Sequence, residues 1–344
     1  MPSTRTSLRS RITLLFAALV AANCAAWAWA FSAFHAHPVM LGTALLAWSL
    51  GLRHAVDADH IAAIDNVTRK LMQDGQRPVT VGLWFAVGHS AIVLIAATTI
   101  ALAAGTLDDF EAFGRSGGVI ATIVSALFLF AIAIMNLAIL RGVWQRFRDV
   151  RRGGTYAEED LDMLLAGRGL IARILRPVFR LVRHAWHMAP LGFLFGLGFD
   201  TATEVAILGL SGAHAADGVS IGTVLVFPVL FAAGMALLDT ADGVLMLGAY
   251  EWAFVKPIRK LYYNIVITAI SAAVALVIGS IQTAALLSEK FGLEGGVWSG
   301  AASLSEQFNT LGFLIIGLFA VCWLASWAMW RWGGFDAVEV RSEG

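Results

Sequence analysis

The residue types best suited to binding an ion lie in one short stretch, residues 50–61, close to the end of an apolar segment. Within eight positions this stretch holds two imidazoles, two carboxylates and one guanidinium, at Arg53, His54, Asp57, Asp59 and His60. Ionisable side chains at membrane depth cost several kcal/mol each unless they pair, line a polar cavity or bind an ion. The stretch therefore predicts a binding site inside what otherwise resembles membrane-spanning sequence.

Helical geometry decides which of these side chains can face one ion. Each residue of an α-helix turns by about 100°, so His54, Asp57 and His60 share a face roughly 120° wide. Asp59 then points about 140° away from His54. Two arrangements remain open: either the helix unwinds within the motif, or Asp59 is a carboxylate that orients a neighbouring ligand.

The composition is that of a polytopic membrane protein and excludes a soluble globular domain. Of the 344 residues, 58% are hydrophobic and only 14% are charged. Apolar stretches of about 20 residues or more, long enough to span a bilayer, occur eight times. We predict an all-α polytopic membrane protein with eight transmembrane helices, near 12–34, 39–61, 79–104, 117–140, 190–212, 219–249, 264–287 and 309–332.

Basic residues predict the orientation of the chain. Arg69, Lys70 and Arg77 lie between predicted helices 2 and 3, and ten arginines lie in a polar loop at about 141–189. A third basic loop joins predicted helices 6 and 7, whereas the opposite loops are mainly acidic. By the positive-inside rule, the basic loops and both termini are expected in the cytoplasm, with the chain in the cytoplasmic (inner) membrane. Residues 1–344 then form a single transmembrane domain with one basic cytoplasmic loop at about 141–189.

Further polar residues occur inside three other predicted helices. Helix 3 contains His89 and Ser90, helix 5 contains Asp200, Thr201 and Glu204, and helix 6 contains Met235, Asp239 and Asp242. A lone histidine in a span is often hydrogen-bonded between helices, and the acids could pair with Arg53. One arginine cannot neutralise six carboxylates, however, so the surplus negative charge in a low dielectric favours a bound cation.

Two short segments of the chain resemble segments about 147 residues further along. Residues 51–57 align with 198–204, and residues 85–89 align with 231–235. Helices 2–3 thus resemble helices 5–6, three spans further along, and an odd number of spans reverses the topology. We therefore predict an inverted repeat with the site at its interface near mid-membrane.

The donor types narrow the identity of the ion. Imidazole together with carboxylate suits Ni²⁺, Co²⁺ and Zn²⁺, whereas sites made only of oxygen suit Mg²⁺ and Ca²⁺. The two cysteines, Cys24 and Cys322, lie in separate apolar segments and predict neither a thiolate cluster nor a disulfide framework. The residues alone lead to a permease for a divalent transition metal, with the ion as substrate and no resident cofactor.

Together these motifs resemble those of the nickel/cobalt transporter (NiCoT) family, and most closely those of bacterial high-affinity nickel permeases. The resemblance covers nearly the whole chain and rests on Arg53–Ile61, on Gly88-His89-Ser90, on Leu197–Glu204 and on Gly234–Asp242. It implies that His54, Asp57, Asp59, His60 and His89 bind the metal and that the acids of helices 5 and 6 support them. It also implies uptake of Ni²⁺, with Co²⁺ as an alternative substrate, to supply metalloenzymes such as hydrogenase.

Other functions remain as alternatives. An exporter of the same metals would share the fold, but exporters often carry histidine-rich cytoplasmic stretches, and here that side has only His184 and His187. A membrane metalloenzyme would need a His-Glu-x-x-His motif or several histidine boxes, and the chain has neither, so we expect no enzyme. No Walker A motif is present, so no nucleotide-binding domain is expected in this chain, and no nucleic-acid partner is expected.

Three further residues are candidates for supporting roles. His35 and His37, in the outward loop before predicted helix 2, either collect metal at the entrance or are solvated loop residues. Arg53 is a candidate to clamp Asp57, or an acid of helix 5, when no metal is bound.

Overall fold

A computed structural model describes residues 3–102, 107–151, 182–198, 219–253 and 257–332, together with residues 204, 207–208, 210–211 and 213–214. These residues form helices joined by short turns. In chain order the helices are α1 (Ser3–Phe34), α2 (Pro38–His54), α3 (Ala58–Gln73), α4 (Val81–Leu102), α5 (Leu107–Arg151), α6 (Met188–Phe195), α7 (Ile221–Val224), α8 (Val226–Ala253), α9 (Pro257–Phe291), α10 (Gly296–Glu306) and α11 (Phe308–Trp332). Single turns of 3-10 helix cover Ala185–His187 and Gly196–Gly198.

Five of the described segments are long and apolar enough to cross a membrane. They are Leu8–Phe34, Val81–Leu102, Val119–Ala138, Ile221–Glu251 and Ile265–Phe291. Two bent helix pairs raise the number to seven if each pair is one span: α2 with α3, bent by 53°, and α10 with the first part of α11, bent by 80°. The described residues thus confirm an all-helical, multi-pass membrane protein.

Predicted helix 5, residues 190–212, is only partly described. Its first part is α6 and the 3-10 turn that follows, and from residue 199 onward only scattered positions are described. An eighth span therefore stays a prediction. Most of the predicted loop at 141–189 also lies outside the described residues, although α5 continues as a helix to Arg151.

Predicted helix 2 is broken near its predicted end, and that end at residue 61 is wrong. The helix stops at His54, leaves the helical path over residues 55–57, and resumes as α3, which continues to Gln73. The continuation follows from packing, because Ile64, Val67 and Leu71 are fully buried and extend the apolar face past the predicted boundary.

Helix α8 packs against α1, α2, α3 and α4 and so lies next to the three helices that carry His54, His60 and His89. Glycines allow this close approach: a Cβ at Gly51 of α2 would lie 2.0 Å from the Phe231 carbonyl oxygen of α8. A Cβ at Gly82 of α4 would lie 1.9 Å from the Asp239 carbonyl oxygen of the same helix. Because only glycine fits at such contacts, the sequence brings the backbones of α2, α4 and α8 together around one site.

Candidate metal centre

The break between α2 and α3 aims two functional side chains at each other. His54 is the last residue of α2, and Asp57 is the extended residue that precedes α3, with φ −64° and ψ 143°. The turn is held by the Val56 amide, which donates to the Arg53 carbonyl at 3.1 Å, and by the Asp57 amide, which donates to the His54 carbonyl at 2.9 Å. The Asp57 side chain does not cap α3; its Oδ2 instead accepts from His54 Nδ1 at 2.9 Å.

Three imidazoles meet at this break. His54, His60 and His89 each offer one ring nitrogen within 4.8 Å of the other two, and all three side chains are buried. Their ring centroids are separated by 4.6 Å, 4.8 Å and 4.9 Å. The described residues therefore contain a compact group of nitrogen donors with the composition of a transition-metal site.

Buried carboxylates surround the imidazoles. Glu204 Oε1 lies 2.8 Å from His89 Nε2 and 3.8 Å from His54 Nε2. Asp239 Oδ1 lies 3.4 Å from His60 Nδ1. Together with Asp57, these acids place several negative charges in a region of low dielectric, which favours a cation between the rings.

Two of the carboxylates also set the tautomer of a histidine. Because Asp57 accepts from Nδ1 of His54, the proton of the neutral ring lies on Nδ1 and the lone pair lies on Nε2. Asp239 Oδ1 faces Nδ1 of His60 in a similar way, at the longer distance of 3.4 Å. A carboxylate that orients an imidazole in this way is typical of metal-binding histidines. The Nε2 atoms of His54 and His89 lie 2.9 Å apart.

Aromatic side chains pack around the centre, and several polar atoms of the described residues nearby are buried without a hydrogen-bond partner. The ring centroid of Phe85 lies 4.7 Å from that of His60, and the centroid of Phe231 lies 5.5 Å from that of His54. Among the described residues, three buried polar atoms near the centre have no hydrogen-bond partner: His89 Nδ1, Ser90 Oγ and Asp239 Oδ2.

Asp59 and Arg53 face away from the imidazoles. Asp59 Oδ1 accepts from the backbone amide of His60 at 3.0 Å, and its Oδ2 accepts from Gln282 of α9 at 3.4 Å. The Arg53 side chain is exposed. In the part of the chain that the structure describes, no carboxylate pairs with Arg53, so the expected clamp on Asp57 is absent there.

Two predicted supporting residues on α8 differ in their surroundings. Met235 is fully buried within an apolar cluster that includes Phe227 and Phe231. Asp242 has a buried Oδ2 without a hydrogen-bond partner among the described residues. Its carboxyl group is close enough to Asp65 and Asp239 for electrostatic repulsion between the acids.

The remaining predicted site residues lie further out or outside the description. Asp200 and Thr201 are not among the described residues. His35 and His37 are exposed between α1 and α2, and His35 Nδ1 lies 3.3 Å from the Ser32 carbonyl.

A second polar network, which the sequence reasoning missed, lies on α3 beyond the centre. Asp65 is fully buried and accepts from the hydroxyls of Tyr250 and Ser271. Arg69 is also buried and donates to Thr268 at 2.8 Å. The spacing of Asp65 and Arg69, four residues apart, is a signal for one helical face, but it was assigned to a loop because helix 2 was predicted to end at residue 61.

Comparison with known proteins places the chain among metal transporters. A family model described as "High-affinity nickel-transport protein" matches residues 40–329. The "High-affinity nickel transport protein" of Cupriavidus necator is 59% identical over 335 residues, which cover 97% of this chain and 95% of the relative. The "Hydrogenase nickel incorporation protein HupN" of Bradyrhizobium diazoefficiens is 52% identical over 95% of this chain and 86% of its own length. The "Cobalt transport protein NhlF" of Rhodococcus rhodochrous is 42% identical over 83% of this chain and 81% of its own length. No solved structure matches the chain significantly.

Proposed function

The chain belongs to the high-affinity nickel-transport protein family, and on that premise we propose that it takes up Ni²⁺ across the cytoplasmic membrane as a secondary permease. The observation that carries the proposal is the buried group of His54, His60 and His89, whose ring nitrogens lie within 4.8 Å of one another. The name of the HupN relative supports supply of nickel to a metalloenzyme such as hydrogenase.

We assign the metal ligands to the three imidazoles and Glu204. In this structure the Nε2 atoms of His54 and His89 lie 2.9 Å apart, at hydrogen-bond distance, and Glu204 Oε1 lies 2.8 Å from His89 Nε2. An ion bound between the rings would replace these contacts with metal–ligand bonds. Imidazole nitrogen together with carboxylate oxygen is a donor set that suits Ni²⁺.

The other predicted residues have supporting roles in this proposal. Asp57 and Asp239 orient His54 and His60, and the contact of Asp59 with the His60 amide supports an orienting role for Asp59 as well. Further proposed members of the site are Ser90, Asp200, Thr201 and Asp242. His35 and His37 are proposed to collect metal at the entrance, which their exposure supports.

Cobalt is the proposed second substrate. Imidazole and carboxylate donors bind Co²⁺ as well as Ni²⁺, and affinity for a given site generally increases from Co²⁺ to Ni²⁺. The cobalt transport protein of Rhodococcus rhodochrous, 42% identical to this chain, supports a site that tolerates both ions.

The two histidines near the basic loops, His184 and His187, favour uptake over export. His187 Nδ1 accepts from the backbone amides of Arg183 and His184, at 3.0 Å and 3.1 Å, and thereby stabilises a local turn. This pair is therefore a poor substitute for the histidine-rich stretch that an exporter would use to collect metal from the cytoplasm.

The inverted repeat is proposed as the framework for transport. The two residues aligned by the repeat, Phe85 and Phe231, both present their carbonyl oxygens to a glycine of another helix. A Cβ at Gly192 of α6 would lie 2.2 Å from the Phe85 carbonyl, and a Cβ at Gly51 of α2 would lie 2.0 Å from the Phe231 carbonyl. Equivalent contacts of α4 with α6 and of α8 with α2 support a two-fold relation between the halves, with the centre at their interface.

Topology and energy source complete the proposal. Cytoplasmic termini, the inner membrane and a single domain with eight spans are supported by the distribution of arginines and lysines. The relatives are named as transporters, which supports a chain without catalytic activity. The missing Walker A motif supports transport without ATP hydrolysis by this chain.

Metal accumulation in cells with and without the protein tests the proposal. Initial uptake of radioactive nickel should rise on expression of the wild type and return to background in His54→Ala, with equal amounts of protein in the membrane. His184→Ala, an exposed histidine outside the centre, is the matched control and should transport normally. Reduced accumulation on expression would indicate export, and normal uptake by His54→Ala would refute the assigned centre.

A further inference from the structure

The bend between α10 and α11 lies against the break in the metal-binding span. The two helices meet at 80° around Gln307, just before Asn309. Asn309 Nδ2 donates to the Arg53 carbonyl oxygen at 2.6 Å, which is the same oxygen that accepts from the Val56 amide within the turn. A side chain from the far end of the sequence thus contacts the backbone immediately before His54.

One turn further along α11, the two backbones touch. A Cβ at Gly312 would lie 1.6 Å from the Val56 carbonyl oxygen and 3.2 Å from Ile61 Cδ1. Around this contact, Phe308 and Ile315 of α11 pack in one apolar cluster with Val56 and Ile61. Position 312 therefore admits only glycine unless the break or α11 moves.

The break needs external support because it is not held by a helix. Residues 55–57 lie between two helices, and the short turn at this point sets the direction of both His54 and Asp57. A shift of the turn would alter the angle at which His54 presents Nε2. Ligand angles matter for the choice of metal, since Ni²⁺ prefers defined geometries whereas Zn²⁺ has no such preference from its d-electrons.

We propose that Asn309 and Gly312 are positioning residues, which hold the break in the shape that lets the centre select Ni²⁺ over Zn²⁺. The inference rests on the proposed function and adds a specificity element outside the polar motifs. Neither residue touches the substrate; both act through the backbone of residues 53–56.

The test uses variants that alter one contact each. Asn309→Asp keeps the size of the side chain but removes the donor, Asn309→Ala removes the side chain, and Gly312→Ala introduces the Cβ. Loss of a group that orients metal ligands commonly costs 10–100-fold in affinity. We expect an increase of about tenfold in the KM for nickel uptake, a smaller change in maximal rate, and stronger competition by Zn²⁺ relative to Ni²⁺.

Matched controls lie on the same helix. A Cβ at Gly317 would meet nothing within 4 Å, and Thr310 is exposed next to Asn309. Gly317→Ala and Thr310→Ala should keep the wild-type KM and the wild-type preference for nickel. A merely structural role for α11 would lower the amount of protein in the membrane without changing either quantity.

The outcomes separate this inference from the proposed function. Nickel binding to the purified chains, measured by calorimetry beside uptake, should weaken in the same variants. Wild-type KM and wild-type competition in Asn309→Ala and Asn309→Asp would overturn the inference, whether or not Gly312→Ala inserts into the membrane. Failure of the wild type to accumulate nickel would instead count against the proposed function, and calorimetry would still test the positioning role.

Discussion

Replacing Asp57 by Asn tests how the centre prepares a histidine for metal. In the wild type, the Asp57 carboxylate accepts from His54 Nδ1 at 2.9 Å, and the two side chains are only 7% and 2% exposed. Asparagine keeps the size but removes the charge. It can also present its amide N–H to Nδ1, which would move the ring proton to Nε2 and block the lone pair that binds the ion.

The structure gives the size of the expected effect. A hydrogen bond to a charged group contributes about 1.5–3 kcal/mol, against about 0.5–1.5 kcal/mol for a neutral pair. The difference of about 1.4 kcal/mol corresponds to about tenfold in affinity, and the competing tautomer increases the loss towards the 100-fold limit seen for groups that orient ligands.

Initial rates of nickel uptake over a range of concentrations provide the assay. The KM of Asp57→Asn should rise about 10–100-fold with unchanged protein in the membrane. Asp74→Asn is the matched control, because Asp74 is 38% exposed and lies outside the centre, and its partner Lys70, 3.8 Å away, also donates to the Val182 carbonyl. A wild-type KM in Asp57→Asn would refute the idea that this carboxylate orients His54.

Three further predictions test the rest of the centre and the network on α3. Glu204→Gln should impair uptake nearly as strongly as Asp57→Asn, because Glu204 lies 2.8 Å from His89; near-normal uptake would remove Glu204 from the ligand set. In competition assays Co²⁺ should inhibit nickel uptake far more than equimolar Mg²⁺, which prefers oxygen donors, and equal inhibition would contradict an imidazole site. Ser271→Ala, which removes a buried donor 2.8 Å from Asp65, should lower the stability of the purified protein by about 1–3 kcal/mol while the KM stays unchanged; thermal unfolding in detergent measures the loss, and an unchanged unfolding temperature would show that the bond contributes little.

The motif that contains His54, Asp57, Asp59 and His60 shows what helical periodicity predicts and what it does not. Periodicity put His54, Asp57 and His60 on one face and Asp59 on another, and the structure has Asp59 turned towards Gln282. The break at 55–57 was one of two open arrangements, because a periodic pattern reports which residues share a face and does not report where the backbone leaves the helix. The turn also makes contacts with Asn309 and Gly312, more than 250 residues away, which no local pattern reports.

The pattern of charged residues predicted burial and ion pairs less well than the apolar pattern predicted the helices. Arg53 was a candidate to clamp Asp57 or an acid of helix 5, yet its side chain is exposed. Conversely, Asp65 and Arg69 were assigned to a basic loop although both are buried. A charged residue at a helix end is interpreted correctly only when its tertiary neighbours are known.

X-ray absorption at the nickel edge of the purified, nickel-loaded protein tests the central claim most directly. The proposal predicts a shell of nitrogen and oxygen ligands with the multiple-scattering signature of three imidazoles. The signature should fall by about one ring in His60→Ala and stay unchanged in the control His184→Ala, since metal ligation by histidine is specific to the ring nitrogens. A shell of oxygen donors without imidazole scattering, or a spectrum unchanged by His60→Ala, would contradict a nickel site at the break between α2 and α3.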